Sequence, residues 1–207
     1  MADLPPLRER TIGDYLDRLG SAHPDPGGGS VAGLVGAMGA ALGQMVINLT
    51  RDNDDLGSIR NDLQGAIDAM LEASANDERA YRGYVTASRM PRGTPNEKSV
   101  RRAEMQAALV TSANVPLDLA FTAGHVLHLL DPAIEHGTSH ALSDAEIAIS
   151  LAEAGVHAAL ANVRINIPLI RDADLAATLT SRANGLEADV RAMAASLRQK
   201  LDARRSS

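Results

Sequence analysis

The sequence contains no cysteine and no tryptophan, and aromatic residues make up only 2% of its 207 residues. The absence of cysteine excludes disulfide bonds and thiol catalysis, so a zinc site would need histidine and carboxylate ligands alone. A core with so few rings must be filled by aliphatic side chains and alanine. That composition favours helices that pack closely together.

An excess of positive charge is also missing. The formal net charge is −6, which argues against nucleic acid or an anionic membrane as the principal partner. The first residues, MADLPPLRERT, lack the apolar core and the cleavage site of a secretory signal. We therefore expect a cytoplasmic protein.

Alternating strand patterns, tandem repeats and long linkers are absent too, and the sequence predicts one all-α domain over residues 1–207. Apolar periodicity and caps outline the helices of a single-domain bundle. We expect a first helix capped by Thr11, a central helix over Val31–Thr50 capped by Ser30, and a long helix from Ile59 that stops before Pro91. A further helix should run from Glu97 to Asn114, with a kink or a new helix at Pro116. The next helix should be capped by Ser143 and is followed by a charged last helix; its small-residue face consists of Ile147, Leu151, Ala154, Ala158 and Ala161.

The stretch Val31–Thr50 carries no charge and is about long enough to cross a bilayer. The alternative is a buried central helix, which Gln44, Asn48 and a mean hydropathy of −0.10 favour. Five glycines recur along one side of this stretch: Gly29, Gly33, Gly36, Gly39 and Gly43. We expect this side to pack at short range against another helix, within the chain or across a dimer, and we expect no membrane partner.

The segment HPDPGGGSVAG places its glycines directly before that helix. Gly27, Gly28, Gly29 and Ser30 offer backbone N–H groups at a helix N-terminus, which attracts anionic or carbonyl oxygen. The segment fits neither of the common nucleotide-binding glycine motifs. It is either a binding loop or simply a turn with a serine cap.

Three asparagines and one aspartate could line a polar pocket. Asn48, Asn162 and Asn166 occur in apolar helical segments, where an amide must find hydrogen-bond partners. Asp144 falls in the first turn of its helix, where the helix dipole stabilises a carboxylate. Structural hydrogen bonds and capping are the alternatives for these four residues. Asp77, Glu78 and Asp118 are expected in surface or interhelix ion pairs.

Histidines cluster between residues 125 and 140. His125 and His128 are three residues apart, and His136 and His140 follow in a predicted loop. However, no HExxH motif and no pair of Glu-x-x-His motifs accompanies them. We expect no metal.

Several stretches in order resemble the formimidoyltetrahydrofolate cyclodeaminase and methenyltetrahydrofolate cyclohydrolase family. They are YLDRLGSAHPDPGGGSVAGLVGAMGAALGQMVINLT, NDERAYRGYVTASRMPRGTPNEKSVR, ANVPLDLA and LSDAEIAISLAEAGVHAALANVRINI. The resemblance covers nearly the whole chain. It implies an all-helical homodimer that binds a tetrahydrofolate derivative, as substrate, near the glycine loop and the subunit interface.

The resemblance also implies a reaction. Water adds to the carbon bridging N5 and N10 of 5,10-methenyltetrahydrofolate, and the adduct opens to 10-formyltetrahydrofolate. The alternatives are the cyclodeaminase reaction, with release of ammonia, and a non-catalytic binding dimer of the same fold. The proposed carboxylate is Asp144, and substrate would be bound by Gly27, Gly28, Gly29, Ser30, Asn48, Asn162, Asn166 and Arg92.

Two positions depart from the family pattern. Arg92 stands where the family has a loop lysine, and it keeps the charge but changes its geometry. After N-L-T, many members carry a basic segment such as G-K-K-K, suited to the glutamyl carboxylates of folate. This chain has Asp52, Asp54 and Asp55 there, which would repel such a tail and leaves the identity of the substrate open.

Overall fold

The computed structural model describes residues 5–50 and 56–206. Within these ranges the chain forms six α-helices and three short 3-10 turns, without a strand. The helices are α1 (Ile12–Leu19), α2 (Gly28–Asn48), α3 (Gly57–Ser88), α4 (Pro95–His136), α5 (Leu142–Asn166) and α6 (Ala173–Arg205). The 3-10 turns are Leu7–Glu9, Ser139–Ala141 and Ile167–Leu169. The all-α prediction is confirmed.

Helix α2 is the central helix, and it packs against α3, α4 and α5. It begins at Gly28 and its N-cap is Gly27, so the prediction that Ser30 caps it is wrong. Ser30 instead lies buried in the first turn, where its Oγ accepts a hydrogen bond from the Tyr15 hydroxyl at 3.2 Å. Gly28 and Gly29 are therefore helical residues, whereas Gly27 is the cap.

The glycine side of α2 packs at short range against helices of the same chain, as predicted. A Cβ atom at Gly33 would lie 2.6 Å from the carbonyl oxygen of Met70 on α3. A Cβ atom at Gly155 on α5 would lie 3.1 Å from the backbone of Gly36. Because backbone atoms face each other at these points, the helices could not approach this closely with larger residues.

Helix α2 is long and apolar enough to cross a membrane by length and composition. Its most apolar window has a mean hydropathy of 1.7, and 56% of that window is buried inside the protein. The uncharged run therefore supplies a large part of the bundle's interior.

Helix α4 is continuous where the sequence suggested a kink or a break at Pro116. Its start is defined by a capping box, in which Thr94 and Glu97 satisfy each other's backbone N–H groups, with Pro95 at the first helical position. Pro116 is buried among α4's neighbours. Packing on both sides stabilises the helix despite the missing N–H donor.

Helix α5 starts at Leu142 with Ala141 as its N-cap, so the prediction that Ser143 caps it is also wrong. Five of its ten buried residues are alanine or glycine, which permits the close approach to α2. The small-residue face predicted from the sequence is on the outer side of α5. On that face Ile147 is 49% exposed, and Leu151, Ala154, Ala158 and Ala161 are partly or fully exposed.

Candidate active site

A cavity of about 380 Å³ opens at the start of α2. It lies between the glycine loop, the middle of α3, the middle of α4 and the end of α5. The lining residues are Pro24, Asp25, Gly27, Gly28, Gly29, Asp77, Glu78, Tyr81, Tyr84, Leu109, Ser112, Asn162, Ile165, Asn166 and Leu169. The cavity therefore brings together five of the nine residues that the sequence analysis assigned to a site.

The loop before α2 is fixed in place by Asp25. This carboxylate is 3% exposed, and it forms ion pairs with Arg18 at 3.1 Å and with Arg82 at 3.3 Å. Arg18 also donates through Nε to the Asp25 carbonyl oxygen at 2.9 Å. The two arginines come from α1 and α3, so the loop is held from both sides.

The first turn of α2 offers unused N–H groups to the cavity. The N–H of Val31 is the first that bonds within the helix, to the carbonyl oxygen of Gly27 at 3.1 Å. The N–H groups of Gly28, Gly29 and Ser30 have no acceptor inside the helix, and the helix dipole adds partial positive charge there. This end of the cavity suits an anionic or carbonyl-type oxygen.

Packing and backbone conformation do not explain why Gly27 and Gly28 are glycines. No glycine in residues 5–50 or 56–206 has a positive φ. A Cβ at Gly28 would lie 3.5 Å from Asn162 Nδ2, and one at Gly27 would lie 3.6 Å from the Pro24 carbonyl oxygen. Both are ordinary contacts. A Cβ at Gly29, in contrast, would collide with the carboxylate of Asp77.

The two asparagines at the end of α5 are held by main-chain acceptors. Asn162 Nδ2 donates to the Ala158 carbonyl at 3.0 Å, and Asn166 Nδ2 donates to the Ser112 carbonyl at 3.0 Å and to the Asn162 carbonyl at 2.8 Å. Neither side-chain oxygen accepts a hydrogen bond from a residue that the structure describes. Both oxygens can therefore accept one from a ligand.

Asp77 is the carboxylate of the cavity lining that is not engaged in an ion pair with the described residues, and sequence reasoning did not assign it to the site. It is partly exposed, and it forms no hydrogen bond or ion pair with the described residues. Burial in the cavity wall, and secondly the charge of Glu78, raise the pKa of the Asp77 carboxyl above its ordinary value. A carboxyl in this state holds its proton to a higher pH than a surface aspartate does.

The sequence feature that could have placed Asp77 in the site is the helical periodicity of α3. Met70, Ser74, Asp77, Tyr81 and Tyr84 follow each other at spacings of four, three, four and three, so they share one face. That face is apolar and buried at Met70 and becomes polar and aromatic where it meets the cavity. The neighbouring Glu78 does form an ion pair, although its partner Arg10 belongs to the segment before α1 and not to another helix.

Three predicted site residues lie away from the cavity within the chain. Asn48 is exposed at the last residue of α2, about 30 Å along the helix from Gly28. Asp144 lies in the first turn of α5, about 27 Å along that helix from Asn162. Arg92 is exposed in the loop between α3 and α4. The acidic segment from Asp52 to Asp55 lies outside the described residues.

The histidines do not form a metal centre in the part of the chain that the structure describes, where no group of three histidines or carboxylates could hold a metal ion. His125 and His128 lie on the outer face of α4 with ring centroids 6.3 Å apart.

Comparison with known proteins agrees with this architecture. The family model described as formiminotransferase-cyclodeaminase matches residues 11–185. The chain belongs to this family. It is 34% identical over 190 residues to a methenyltetrahydrofolate cyclohydrolase of Methylorubrum extorquens, an alignment that covers 88% of this chain and 91% of the relative.

Two further relatives extend the comparison. The formimidoyltransferase-cyclodeaminase of Sus scrofa is 30% identical over 207 residues, which is 97% of this chain and 38% of the pig protein. The crystal structure of formiminotetrahydrofolate cyclodeaminase from Thermotoga maritima superposes with a TM-score of 0.82 at 24% identity, covering 95% of this chain and 98% of that one. The fold of family members is thus shared over almost the whole chain.

Proposed function

We propose that this family member is a folate one-carbon enzyme that hydrolyses 5,10-methenyltetrahydrofolate to 10-formyltetrahydrofolate. A single observation carries the proposal. One cavity contains a carboxylate without a partner among the described residues, the N-terminus of a 21-residue helix and two glycines whose missing side chains serve no packing purpose. The similarity to a protein named methenyltetrahydrofolate cyclohydrolase supports the same choice.

Asp77 performs the proton transfers in this proposal. It accepts a proton as water adds to the cationic carbon between N5 and N10. The carbon–N5 bond then breaks, Asp77 returns its proton to N5, and the hydroxyl proton of the adduct leaves to solvent as the formyl C=O forms. The N–H groups of Gly28 and Gly29 stabilise the oxygen of the adduct, which carries partial negative charge.

The remaining lining suits a flat, partly polar ligand. Tyr81, Tyr84 and Leu109 provide aromatic and aliphatic surface for a pterin or an aryl ring. The side-chain oxygens of Asn162 and Asn166 accept hydrogen bonds from ring N–H groups. We expect no metal in this mechanism, because proton transfer and N–H donors suffice for an already cationic substrate carbon.

The decisive experiment follows the loss of 5,10-methenyltetrahydrofolate absorbance with purified protein, against spontaneous hydrolysis. Asp77→Asn should lower kcat by about 100-fold or more, since general acid–base catalysis typically contributes that much. In the unsubstituted enzyme kcat/KM should fall as the pH drops through the pKa of Asp77, at a pH above that of an ordinary aspartate. No acceleration over the spontaneous rate would contradict the proposal.

The cyclodeaminase reaction is the second candidate. The relatives from vertebrates are named formimidoyltransferase-cyclodeaminases, and the same proton relay could assist the departure of ammonia after N10 attacks a formimino carbon. Release of ammonia from 5-formiminotetrahydrofolate, faster than methenyl hydrolysis, would favour this candidate. Tight binding of folates with neither reaction would leave a non-catalytic binding protein.

We also propose that the protein is a homodimer formed through the outer faces of α2 and α5. Each helix presents an apolar series at spacings of four, three, four, three and four, the pattern of a helix–helix seam. The series on α2 is Val31, Val35, Met38, Leu42, Met45 and Leu49, and the series on α5 is Ile147, Leu151, Ala154, Ala158, Ala161 and Ile165. All twelve residues are partly or fully exposed in the single chain.

A second copy is the occupant that fits this face. The spacing reads the same from either end, so two copies of α5 can pair antiparallel around a two-fold axis, with Ile147 opposite Ile165 and Leu151 opposite Ala161. Because Ile165 also lines the cavity, the seam leads directly to the site. The same pairing brings the partner subunit's Asp144 to the cavity, together with the end of α2 that carries Asn48.

Sedimentation tests the dimer. Ala154→Glu places a charge at the centre of the proposed seam and should yield a monomer, because an unpaired buried charge is costly. Ile12→Glu is the control, since Ile12 is 79% exposed on α1, outside the seam. A wild-type monomer at micromolar concentration, or a dimer that tolerates Ala154→Glu, would refute this interface.

Mixing two inactive variants tests the shared site. If each cavity uses its own Asp77 and the partner's Asp144, then Asp77→Asn and Asp144→Asn should each be inactive alone. Random reassociation of the two should restore about a quarter of the wild-type activity, because half of the dimers are mixed and each mixed dimer has one intact site. Full activity of Asp144→Asn alone would remove Asp144 from the site.

A further inference from the structure

Glu78 is a buried carboxylate that the proposed reaction does not use. It is 5% exposed, and it lines two cavities: the site described above and a second one of about 590 Å³. The second cavity lies between α3 and the segment that precedes α1. A buried ionised carboxylate requires a partner, since its desolvation is otherwise too costly.

Arg10 is that partner. Its Nη1 and Nη2 atoms donate to Oε1 and Oε2 of Glu78 at 3.2 and 3.3 Å, so the pair is bidentate. The Arg10 side chain is 8% exposed, and its Nε donates to the Pro5 carbonyl oxygen at 2.8 Å. The segment before α1 is thereby fastened to α3 directly beside Asp77.

The cavity lining contains one other carboxylate near Asp77 besides Glu78, and that carboxylate is already paired with arginines. In the cavity wall Asp25 is paired with Arg18 from α1 and Arg82 from α3. The remaining ionisable groups of the lining are Tyr81 and Tyr84 on α3, while α4 and α5 contribute only uncharged residues, among them Ser112, Asn162 and Asn166. Burial is the largest cause of the raised pKa of Asp77, and the charge of Glu78 is the second.

We propose that Arg10 and Glu78 form a positioning pair that sets the pH at which Asp77 exchanges its proton. This inference rests on the role proposed above for Asp77. The negative charge of Glu78 opposes ionisation of Asp77, and the guanidinium of Arg10 holds the Glu78 carboxylate in place through two hydrogen bonds. Neither residue needs to touch substrate.

The two substitutions should act in the same direction. In Glu78→Gln the anion is gone, so the titration of Asp77 should move to lower pH. In Arg10→Gln the buried carboxylate of Glu78 loses its partner and cannot stay buried as an anion, so the titration of Asp77 should move to lower pH as well. A pair with only a structural role would shift neither titration, whatever its effect on stability.

Two readouts on the full-length protein test this. The first is the pH dependence of kcat/KM for methenyl hydrolysis in wild type, Glu78→Gln and Arg10→Gln. The second is a ¹³C NMR titration of aspartate carboxyl groups, in which the Asp77 signal is assigned by its loss in Asp77→Asn. The NMR titration reports on Asp77 even if the protein catalyses nothing, so failure of this inference can be told from failure of the proposed reaction.

Arg8→Gln is the matched control. Arg8 comes from the same segment and pairs with Asp68 on the same helix, but both side chains are more than half exposed. It should leave the Asp77 titration unchanged. Should Arg10→Gln not fold, the Glu78→Gln titration alone decides. An unchanged Asp77 signal in Glu78→Gln, or a shift of either variant to higher pH, would overturn the proposal.

Discussion

The glycines of α2 fall into two groups that differ in what lies next to them. From Gly33 to Gly43 each glycine faces a neighbouring helix so closely that a Cβ atom would meet other atoms within about van der Waals contact distance or less. Gly27 and Gly28 have room for a Cβ atom, and the space beside them is the cavity. The first group serves the packing of helices, and the second serves the approach of a ligand.

The largest effect should come from the packing group. Gly36→Leu would force a side chain against Met70, whose Sδ atom lies 2.6 Å from the position of a Cβ, and into the contact with Gly155. We expect a loss of about 3 kcal/mol in the free energy of unfolding, or failure to fold, because overpacking separates the helices. Urea denaturation followed by circular dichroism measures it.

Gly65→Leu makes the same change where there is room. Gly65 lies on the exposed side of α3, and a Cβ there would have no neighbour within 4 Å. This substitution should stabilise the protein by about 0.5–1 kcal/mol, because leucine has a higher helix propensity than glycine. Equal losses for Gly36→Leu and Gly65→Leu would mean that the glycine side of α2 is not a tight contact.

A different effect is expected at the ligand end of α2. Gly28→Val should raise KM and lower kcat/KM by about 100-fold, because the side chain projects from the first helical turn beside Asn162 and keeps the substrate from the N–H groups. The free energy of unfolding should change by less than about 1 kcal/mol, since no packed atom is displaced. Steady-state kinetics and denaturation of the same preparation separate the two effects.

Gly185→Val is its control. Gly185 is exposed on α6 outside the cavity lining, and a Cβ there would have no neighbour within 4 Å. This substitution should change kcat/KM by less than about twofold. If Gly28→Val binds and turns over substrate normally, the loop is only a turn.

Helix positions could be predicted well from the sequence, because apolar periodicity reports directly on burial. Thr11 caps α1 as expected, and α3 ends before Pro91. The predictions of serine caps failed because Gly27 and Ala141 take the capping positions, three and two residues before the predicted serines. The continuity of α4 through Pro116 depends on tertiary packing, which a local pattern does not contain.

The site was harder to predict, because residue chemistry does not say which ends of helices meet. Gly28 and Asn162 are neighbours because α2 and α5 run antiparallel, and for the same reason Asn48 and Asp144 lie at the opposite end. Asp77 had the appearance of a surface charge in a charged stretch of sequence. The only feature of the sequence that indicates a position near the interior is that Asp77 shares a helix face with Met70.

Gly29 lies between the two groups in the sequence. Its substitution should have a smaller effect than Gly36→Leu or Gly28→Val. A methyl group there would collide with the carboxylate of Asp77, which supplies the three atoms nearest to the position of a Cβ. The end of an aspartate side chain can rotate away, so the helices need not separate. The gain in helix propensity from alanine offsets part of the remaining strain.

Gly29→Ala should therefore leave the free energy of unfolding within about 1 kcal/mol of wild type. It should lower kcat by about tenfold with little change in KM, since a displaced carboxylate weakens proton transfer without filling the substrate's place. Gly28→Val, in contrast, acts mainly on KM. A rise in KM alone for Gly29→Ala would show that the carboxylate binds substrate rather than transfers its proton. A loss of stability as large as that of Gly36→Leu would place Asp77 in the packed interior and Gly29 with the packing glycines.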